Sequence, residues 1–409
     1  WRFWHAHIHW GLGREWLAEA LERAGADAPP ALRARALVRA ASLAMRQSDA
    51  RQAGLLAAEA LPLARAAGDR ESEAMALGLQ ATVLSWSRAD YAEARQLLEQ
   101  ALALFRSLGP AGRWGEAWTL EQLGSLNPDL AQEQAHYEAA LAIKKAMGDA
   151  HGQAESLSIL AVIAQSRRDN DRAYALAAES IAIRRKLGDR RGIAELLLQL
   201  GYWFQTDYAR AKGWLEEAVA ITRELGSQQG QAYTLRNLGL VEYLHGDADR
   251  AAALFEASLT LARASGEKMN VAYSLSDLGR ALRGLGQWER AQALLTESLG
   301  IAQELGDLQW GAYPLLQLAY ATFQSGDREQ ARARFVESLR RYQRWGVGGG
   351  LAESLAGLAA IAGADAPERA ARLYGAADTL RAEVGAPRSP IERAAEARQI
   401  EAVRARLGL

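Results

Sequence analysis

The only cluster with the spacing of a metal site is His5-x-His7-x-His9. On a helix His5 and His9 share a face and His7 points away. At most two imidazoles therefore converge, short of the three or four ligands that zinc takes. With Trp1, Phe3, Trp4 and Trp10 around it, the segment reads as an amphipathic helix, and no metal is expected. Cysteine is absent, which removes disulfides, thiol nucleophiles and thiolate ligands and fits a reducing, cytoplasmic setting. No phosphate loop of the Gly-x-x-x-x-Gly-Lys-Ser/Thr kind occurs. The glycine-rich run Gly346-Val-Gly-Gly-Gly350 has no Lys after it and no strand before it, and reads as a flexible joint. Neither Gly-x-Ser-x-Gly nor His-Glu-x-x-His is present. Carboxylate pairs are abundant but fall on helix surfaces, so the chain is expected to be no enzyme and to hold no cofactor. The chemistry that remains is that of binding: aromatic and amide side chains recur at fixed steps, as Tyr233, Tyr273 and Tyr313 do.

Composition narrows the partners. The 409 residues carry a net charge of −1, so there is no global basic field to draw in nucleic acid or an anionic membrane. Of the 48 basic residues 43 are Arg, which fits either a biased genome or many surface ion pairs. No apolar run reaches the roughly 18 residues of a membrane span. The chain opens Trp-Arg-Phe-Trp-His, without Met and without a signal peptide, as expected of a fragment of something longer.

The elements that carry the recurring residues are read from punctuation. Glycines at 68, 109, 148, 188, 226, 266, 306 and 346 close a basic or amphipathic helix, at steps of 41, 39, 40, 38, 40, 40 and 40 residues. Each stands where a helix needs a left-handed C′ residue. An Asp often follows (Asp69, Asp149, Asp189, Asp307) and can cap the next helix. A second breaker lies inside each unit, clearest at Gly246-Asp247, Gly286-Gln287 and Gly326-Asp327, weaker at Ala89-Asp90 and Arg168-Asp169. Each unit is thus helix A, a tight turn, helix B and a short link. Helix A carries a small residue where the two helices touch: Leu238-Gly239, Leu278-Gly279, Leu318-Ala319. Helix B repeats Ala-x-x-x-aromatic/Leu-x-x-x-Leu, as in Ala251, Phe255, Leu259, then Ala291, Leu295, Leu299, then Ala331, Phe335, Leu339; spacing by four puts these on one face. No period-2 segment stands out, so no strand is predicted.

The pattern resembles the tetratricopeptide repeat, with a period of 40 instead of 34 and hence longer helices. The resemblance implies an all-α, right-handed superhelical solenoid of helix-turn-helix repeats, about ten hairpins and a C-terminal capping helix, exceeding one superhelical turn. Residues 1–30 read as a divergent hairpin with its second helix at Arg14–Arg23, residues 31–348 as eight repeats, and residues 349–409 as an irregular last hairpin and a closing helix that opens on Ser389-Pro390. Residues 125–130 and 204–209 are expected to shorten the turns of the third and fifth repeats. In arrays of this family helix A lines the concave groove. By that analogy the groove candidates are a ring of Tyr233, Tyr273, Tyr313 and Trp118, then Gln80, Gln122, Gln199, Asn237, Asp277 and Gln317, then Trp86, Tyr202, Tyr243, Tyr320 and Phe323. Asn237, before Leu238-Gly239, is similar to the Asn that contacts ligand backbone in peptide-binding members. Alternatively, the tyrosines fill the space between adjacent A helices and the amides bond neighbouring repeats. Charge is polarised, with Glu121, Glu155 and Glu195 in the first half and Arg236, Arg280 and Arg283 in the second, which suits a ligand with one basic and one acidic end; the same residues also read as solvated faces.

The two ends carry a narrower resemblance. Arg2-Phe-Trp-His with Gly11-Leu-Gly-Arg-Glu-Trp-Leu-Ala-Glu-Ala-Leu21, and Ala371-Arg-Leu-Tyr-Gly-Ala-Ala-Asp-Thr-Leu-Arg381 followed by Gly385-Ala-Pro and Pro390-Ile-Glu-Arg-Ala, resemble the sensor array of bacterial signal-transduction ATPases (STAND class, regulators of the LuxR/SARP type). That resemblance implies a sensor domain, monomeric as a fragment. It would take a peptide, protein or small-molecule effector in the groove and act on the ATPase of its parent protein. A passive protein scaffold is the competing expectation.

Overall fold

The computed structural model describes residues 10–25, 28–86, 90–307, 309–385 and 388–409. The His5-x-His7-x-His9 segment and Ala89 lie outside them. Among the described residues every regular element is helical, and no strand is present. The chain divides into two compact bodies, Trp1–Asp189 and Arg190–Leu409.

The first body contains α1 (Trp10–Ala24), then four hairpins: α2 (Pro30–Arg46) with α3 (Ala50–Ala67), α4 (Arg70–Trp86) with α5 (Tyr91–Ser107), α6 (Arg113–Ser125) with α7 (Leu130–Met147), and α8 (Ala150–Ser166) with α9 (Asn170–Leu187). The second holds α10 (Arg190–Trp203) with α11 (Tyr208–Glu224), α12 (Gln228–Leu244) with α13 (Ala248–Ser265), α14 (Lys268–Gly284) with α15 (Trp288–Glu304), and α16 (Ala312–Gln324) with α17 (Arg328–Trp345). A fifth pair, α18 (Gly348–Ala362) with α19 (Pro367–Val384), and a single helix α20 (Pro390–Leu407) complete it.

The punctuation works as its chemistry requires. All eight closing glycines are left-handed, with φ between 57° and 71°, a region that costs an L side chain about 1–2 kcal/mol. Gly246, Gly286 and Gly326 take positive φ inside the hairpins; in the first body the equivalent turns use Ser48 and Arg168, at φ 60° and 61°. Of the Asp residues after the glycines, Asp149 accepts from the Gly152 N–H at 2.9 Å and Asp307 from the Trp310 N–H at 2.8 Å. Asp189 pairs with Arg184.

Hairpins close through the small residue of helix A. A Cβ on Gly239 would stand 2.7 Å from the Phe255 ring, so only glycine admits that contact. The B-helix stripes face inward: Ala251, Phe255 and Leu259 are buried, as are Ala291, Leu295, Ala331 and Phe335, while Leu299 and Leu339 are half-buried. Burying each Phe or Leu contributes about 1.5–3 kcal/mol. Buried serines on the B helices add a polar staple: the hydroxyls of Ser180, Ser258 and Ser298 donate to the carbonyls of Ala154, Ala232 and Ala272 on the A helices, at 2.7–2.8 Å.

Two expectations are corrected. The third and fifth repeats shorten helix A instead of the turn: α6 has 13 residues and α10 has 14, against 17 in α12. Near α6 the reason is Pro128, which cannot continue a helix and disfavours α geometry in Asn127 before it. The Gly346–Gly350 run is not a flexible joint either. Gly348, Gly349 and Gly350 form the first turn of α18, and Gly350 lies against Tyr342, whose ring a Cβ would meet at 2.3 Å.

Candidate functional site

In the second body, recurrence at 40 residues brings the predicted polar and aromatic side chains of successive A helices into register. Asp277, buried in the middle of α14, accepts from Arg236 Nε on α12 at 2.6 Å and from the Tyr313 hydroxyl on α16 at 2.9 Å. The Arg236 guanidinium lies 4.8 Å over the Tyr273 ring, which meets Trp310 edge-on. Burial disfavours the charge of Arg236, but Asp277 overcomes this and raises the Arg236 pKa. Burial and the facing Asp277 push the Tyr313 phenol well up, so it stays a donor.

Further towards the C-terminal ends of α12 and α14, side chains of the same two helices hold a segment of the chain's own C-terminus. α20 opens on a capping box in which the Ser389 hydroxyl accepts from the Glu392 N–H and the Glu392 carboxylate from the Ser389 N–H. Glu392 then reaches across to α14. It accepts from Arg280 Nε at 2.9 Å and Nη2 at 2.8 Å, and from Arg283 Nη2 at 3.2 Å. The Tyr243 hydroxyl donates to it at 3.3 Å, and the Arg280 guanidinium sits 4.7 Å over the Tyr243 ring. Burial works against the Glu392 charge. The two guanidiniums and the Ser389 N–H more than offset it and hold the carboxyl down to about 2. Ile391 packs with the core cluster around Phe255 and Leu275.

Comparison with known proteins agrees with this architecture. Residues 230–304 match the tetratricopeptide repeat family. No curated protein matches the chain in sequence. Among solved structures, the apo form of RapI superposes with a TM-score of 0.68 at 12% identity, over 86% of this chain and 98% of RapI. The signal transduction ATPase with numerous domains (STAND) PH0952 from Pyrococcus horikoshii, described as having a tetratricopeptide repeat sensor, superposes with a TM-score of 0.56 at 13% identity, over 86% of this chain. The chain spans about half, 53%, of that protein. A Rap protein complexed with Competence and Sporulation Factor gives 0.51 at 13% identity, over 86% of this chain and 98% of that one. At such identities the likeness establishes the fold: an all-α array of tetratricopeptide-like helical hairpins.

The other predicted residues divide by exposure. In the second body Tyr202 is 54% exposed and Gln199 is also open to solvent. Tyr233 is half-buried, and its carbonyl accepts from the buried Asn237 side chain at 2.8 Å. Gln317 is buried, the Tyr320 hydroxyl donates to the Glu353 carbonyl at 2.7 Å, and Phe323 is half-buried. In the first body Trp86 is 53% exposed at the end of α4. Trp118 stacks on Trp114 with ring centroids 6.5 Å apart, and Gln122 accepts from the Thr82 hydroxyl at 3.3 Å.

The charges predicted to polarise the groove are largely paired. Glu121 accepts from Lys144 Nζ at 2.7 Å and from the Ser156 hydroxyl at 2.6 Å. Burial nonetheless outweighs the attraction of Lys144 and raises the pKa of Glu121. Glu155 lies 3.8 Å from Arg46, and Glu195 pairs with Arg191 at 2.8 Å. Nothing periodic in the sequence marks Glu392 as the partner of Arg280 and Arg283. Its local signal, Ser389-Pro390-Ile391-Glu392, was legible as a capping box, but the pairing spans 112 residues. Among the described residues no three His, Cys, Asp or Glu side chains cluster as a metal site would need, and no helix is long and apolar enough to cross a membrane.

Proposed function

We propose that the chain is a ligand- or partner-binding sensor module of a larger signalling ATPase or transcription regulator, and that it binds on the face formed by its A helices. The observation that carries this reading is the docking of α20. The A-helix face of the second body already holds a polypeptide segment through a carboxylate clamped by Arg280 and Arg283. A face that accepts one segment in this way has the donors and aromatic walls to accept another, and the exposed Tyr202 and Gln199 lie on a neighbouring A helix of the same body. The Pyrococcus protein described as having a tetratricopeptide repeat sensor and the Rap protein complexed with a factor support the same reading by analogy of fold. The closed Arg236–Asp277–Tyr313 network favours a second reading, a rigid scaffold that binds partners without responding to them.

The test compares capture from host lysate by the wild-type chain, by Tyr202→Ala/Gln199→Ala, and by Glu392→Gln. A sensor face loses its partner in the first variant and takes up more of it in the second, because α20 no longer competes. A partner indifferent to both substitutions would leave the scaffold reading standing alone.

A further inference from the structure

The four residues that open α20 each have a place of their own. Ser389 is fully buried and caps the helix. Pro390 lies over Gly246, in the turn between α12 and α13, where an added Cβ would stand 3.4 Å from its ring. Ile391 lies beside Gly284 at the end of α14, 3.6 Å away by the same measure. Glu392 enters the clamp of Arg280 and Arg283 at 2.8 and 3.2 Å. Two adjacent A helices and one turn thus form a socket that reads a short sequence, Ser-Pro-Ile-Glu, at the start of a helix.

The remainder of α20 is held lightly. Val403 is its one buried residue, with Ile400 and Leu407 packed half-buried beside it, against twelve buried residues in α14. Polar ties complete the hold: Glu396 to Arg381 and Arg388, and Gln399 to the Tyr374 hydroxyl at 3.1 Å. Nor does α20 fill the space in front of it. A cavity of about 190 Å³ lies between its Glu392, Ala395, Glu396 and Gln399 and the helices α14, α16, α17 and α18. Steps of three, four and seven residues put those four on one side of the helix. The three guanidiniums and three carboxylates on the cavity wall balance in charge, and each is already in an ion pair. Leu316, Phe323 and Ala356 also line the space. The group that suits it is therefore uncharged, and Ala395 is the one apolar side chain that α20 brings to that wall.

We propose that this socket recognises a partner protein's helix that opens on Ser-Pro-aliphatic-Glu and carries a large apolar residue three positions after the Glu, with α20 as its tethered and imperfect occupant. The partner's carboxylate exchanges for that of Glu392 with no change of charge. A Leu or Met where α20 has Ala395 fills the cavity against Leu316 and Phe323. Five residues, 385–389, join α19 to α20, and so short a tether holds a segment at an effective concentration of about a millimolar. A free segment therefore wins through its extra apolar contact, and docked α20 sets the threshold it must pass. The inference rests on the reading of the A helices as a binding face and deepens it, naming the partner's chemistry and the segment that guards the site.

The probe is a fluorescent peptide of residues 388–409, read by anisotropy against the 409-residue chain. Glu392→Lys in the chain sets a like charge against Arg280 and Arg283 and vacates the socket, which faster amide exchange across residues 390–407 reports. The peptide should bind this chain saturably and at least about tenfold more tightly than it binds the wild type, where tethered α20 competes. Glu392→Gln in the peptide should weaken binding at least about tenfold, the loss of a charge-assisted contact. Ala395→Leu in the peptide should strengthen it about tenfold through added apolar contact. In the wild-type chain a saturating amount of the Ala395→Leu peptide should itself displace α20 and speed exchange across residues 390–407. No binding of either peptide by the vacated chain up to about 1 mM, the effective concentration of the tethered helix, would overturn the proposal. So would equal binding after Arg280→Gln is added, unchanged protection of α20 in the Glu392→Lys chain, or no gain from Ala395→Leu. A wild-type dimer in sedimentation that falls apart on Arg280→Gln would overturn it too, assigning the socket to exchange of α20 between copies. None of these readouts passes through Tyr202 or Gln199, so their failure and the failure of partner capture are told apart.

Discussion

Glu392 and Arg280 are 112 residues apart in sequence and form a two-point contact, Nε and Nη2 to the two carboxylate oxygens at 2.9 and 2.8 Å. This contact, with Arg283 beside it, fixes where α20 docks. Glu392→Gln removes the charge and leaves two guanidiniums, 16% and 7% exposed, facing an amide. Breaking a buried pair from one side costs about 3–5 kcal/mol. The expected outcome is faster amide exchange and protease cleavage within residues 390–407, with the earlier hairpins protected as before. Adding Arg280→Gln should return part of the loss, since the two residues are coupled. Unchanged protection of α20 in the single variant would show that its apolar contacts alone hold it.

The same carboxylate sets an acid limit. Its folded pKa, about 2, lies below the ordinary value of 4.5, so the charged form is favoured by folding. Its contribution is complete above about pH 5 and is lost as pH falls from 4.5 towards 2, amounting to about 3 kcal/mol by linkage. Glu121 in the first body has the opposite sign: its raised pKa means that folding favours the neutral acid, so it gives nothing at neutral pH that acid would remove. Acid titration followed by limited proteolysis should release α20 before the Glu121 hairpin opens. Release of α20 only together with global unfolding would contradict this order.

Much of the fold was legible because it is written in local chemistry. A left-handed C′ glycine every 40 residues needs no long-range information, and the eight glycines read from sequence all take positive φ. The Ala-x-x-x-Phe stripe of α13 likewise forecasts its own burial. What was not legible depends on which repeats meet which later segment. The Glu392 clamp has no periodic signal, because α20 breaks the period. The Ser258 and Ser298 staples do recur at 40 residues, but a serine on a helix has too many readings to be singled out.

Backbone handedness gives a paired test. Gly266 closes α13 at φ 71°, with nothing within 4 Å of where a Cβ would stand. Gly266→Ala therefore isolates the conformational cost and should lower stability by about 1 kcal/mol. Arg168 holds φ 61° with a side chain. Arg168→Gly relieves that strain against a larger unfolded-state entropy, and should raise stability by up to about 1 kcal/mol. Urea denaturation of both variants decides it; a neutral Gly266→Ala would mean that the helix end relaxes out of the left-handed region.

Asp277 decides whether the predicted aromatic ring is free to serve a ligand or is committed to structure. The carboxylate is 2% exposed and is the joint acceptor of Arg236 and Tyr313, one from each neighbouring A helix. Asp277→Ala leaves Arg236 charged beside Tyr273 with no counter-ion, and should destabilise the second body by about 3–5 kcal/mol. Tyr313→Phe removes only a hydroxyl that donates to a charged acceptor, and should cost about 1.5–3 kcal/mol. Combining the two should cost little more than Asp277→Ala alone, because the hydroxyl has then already lost its acceptor. Additive losses would show that Tyr313 acts through packing and not through Asp277. Small losses in both single variants, together with impaired partner capture, would instead assign these side chains to binding.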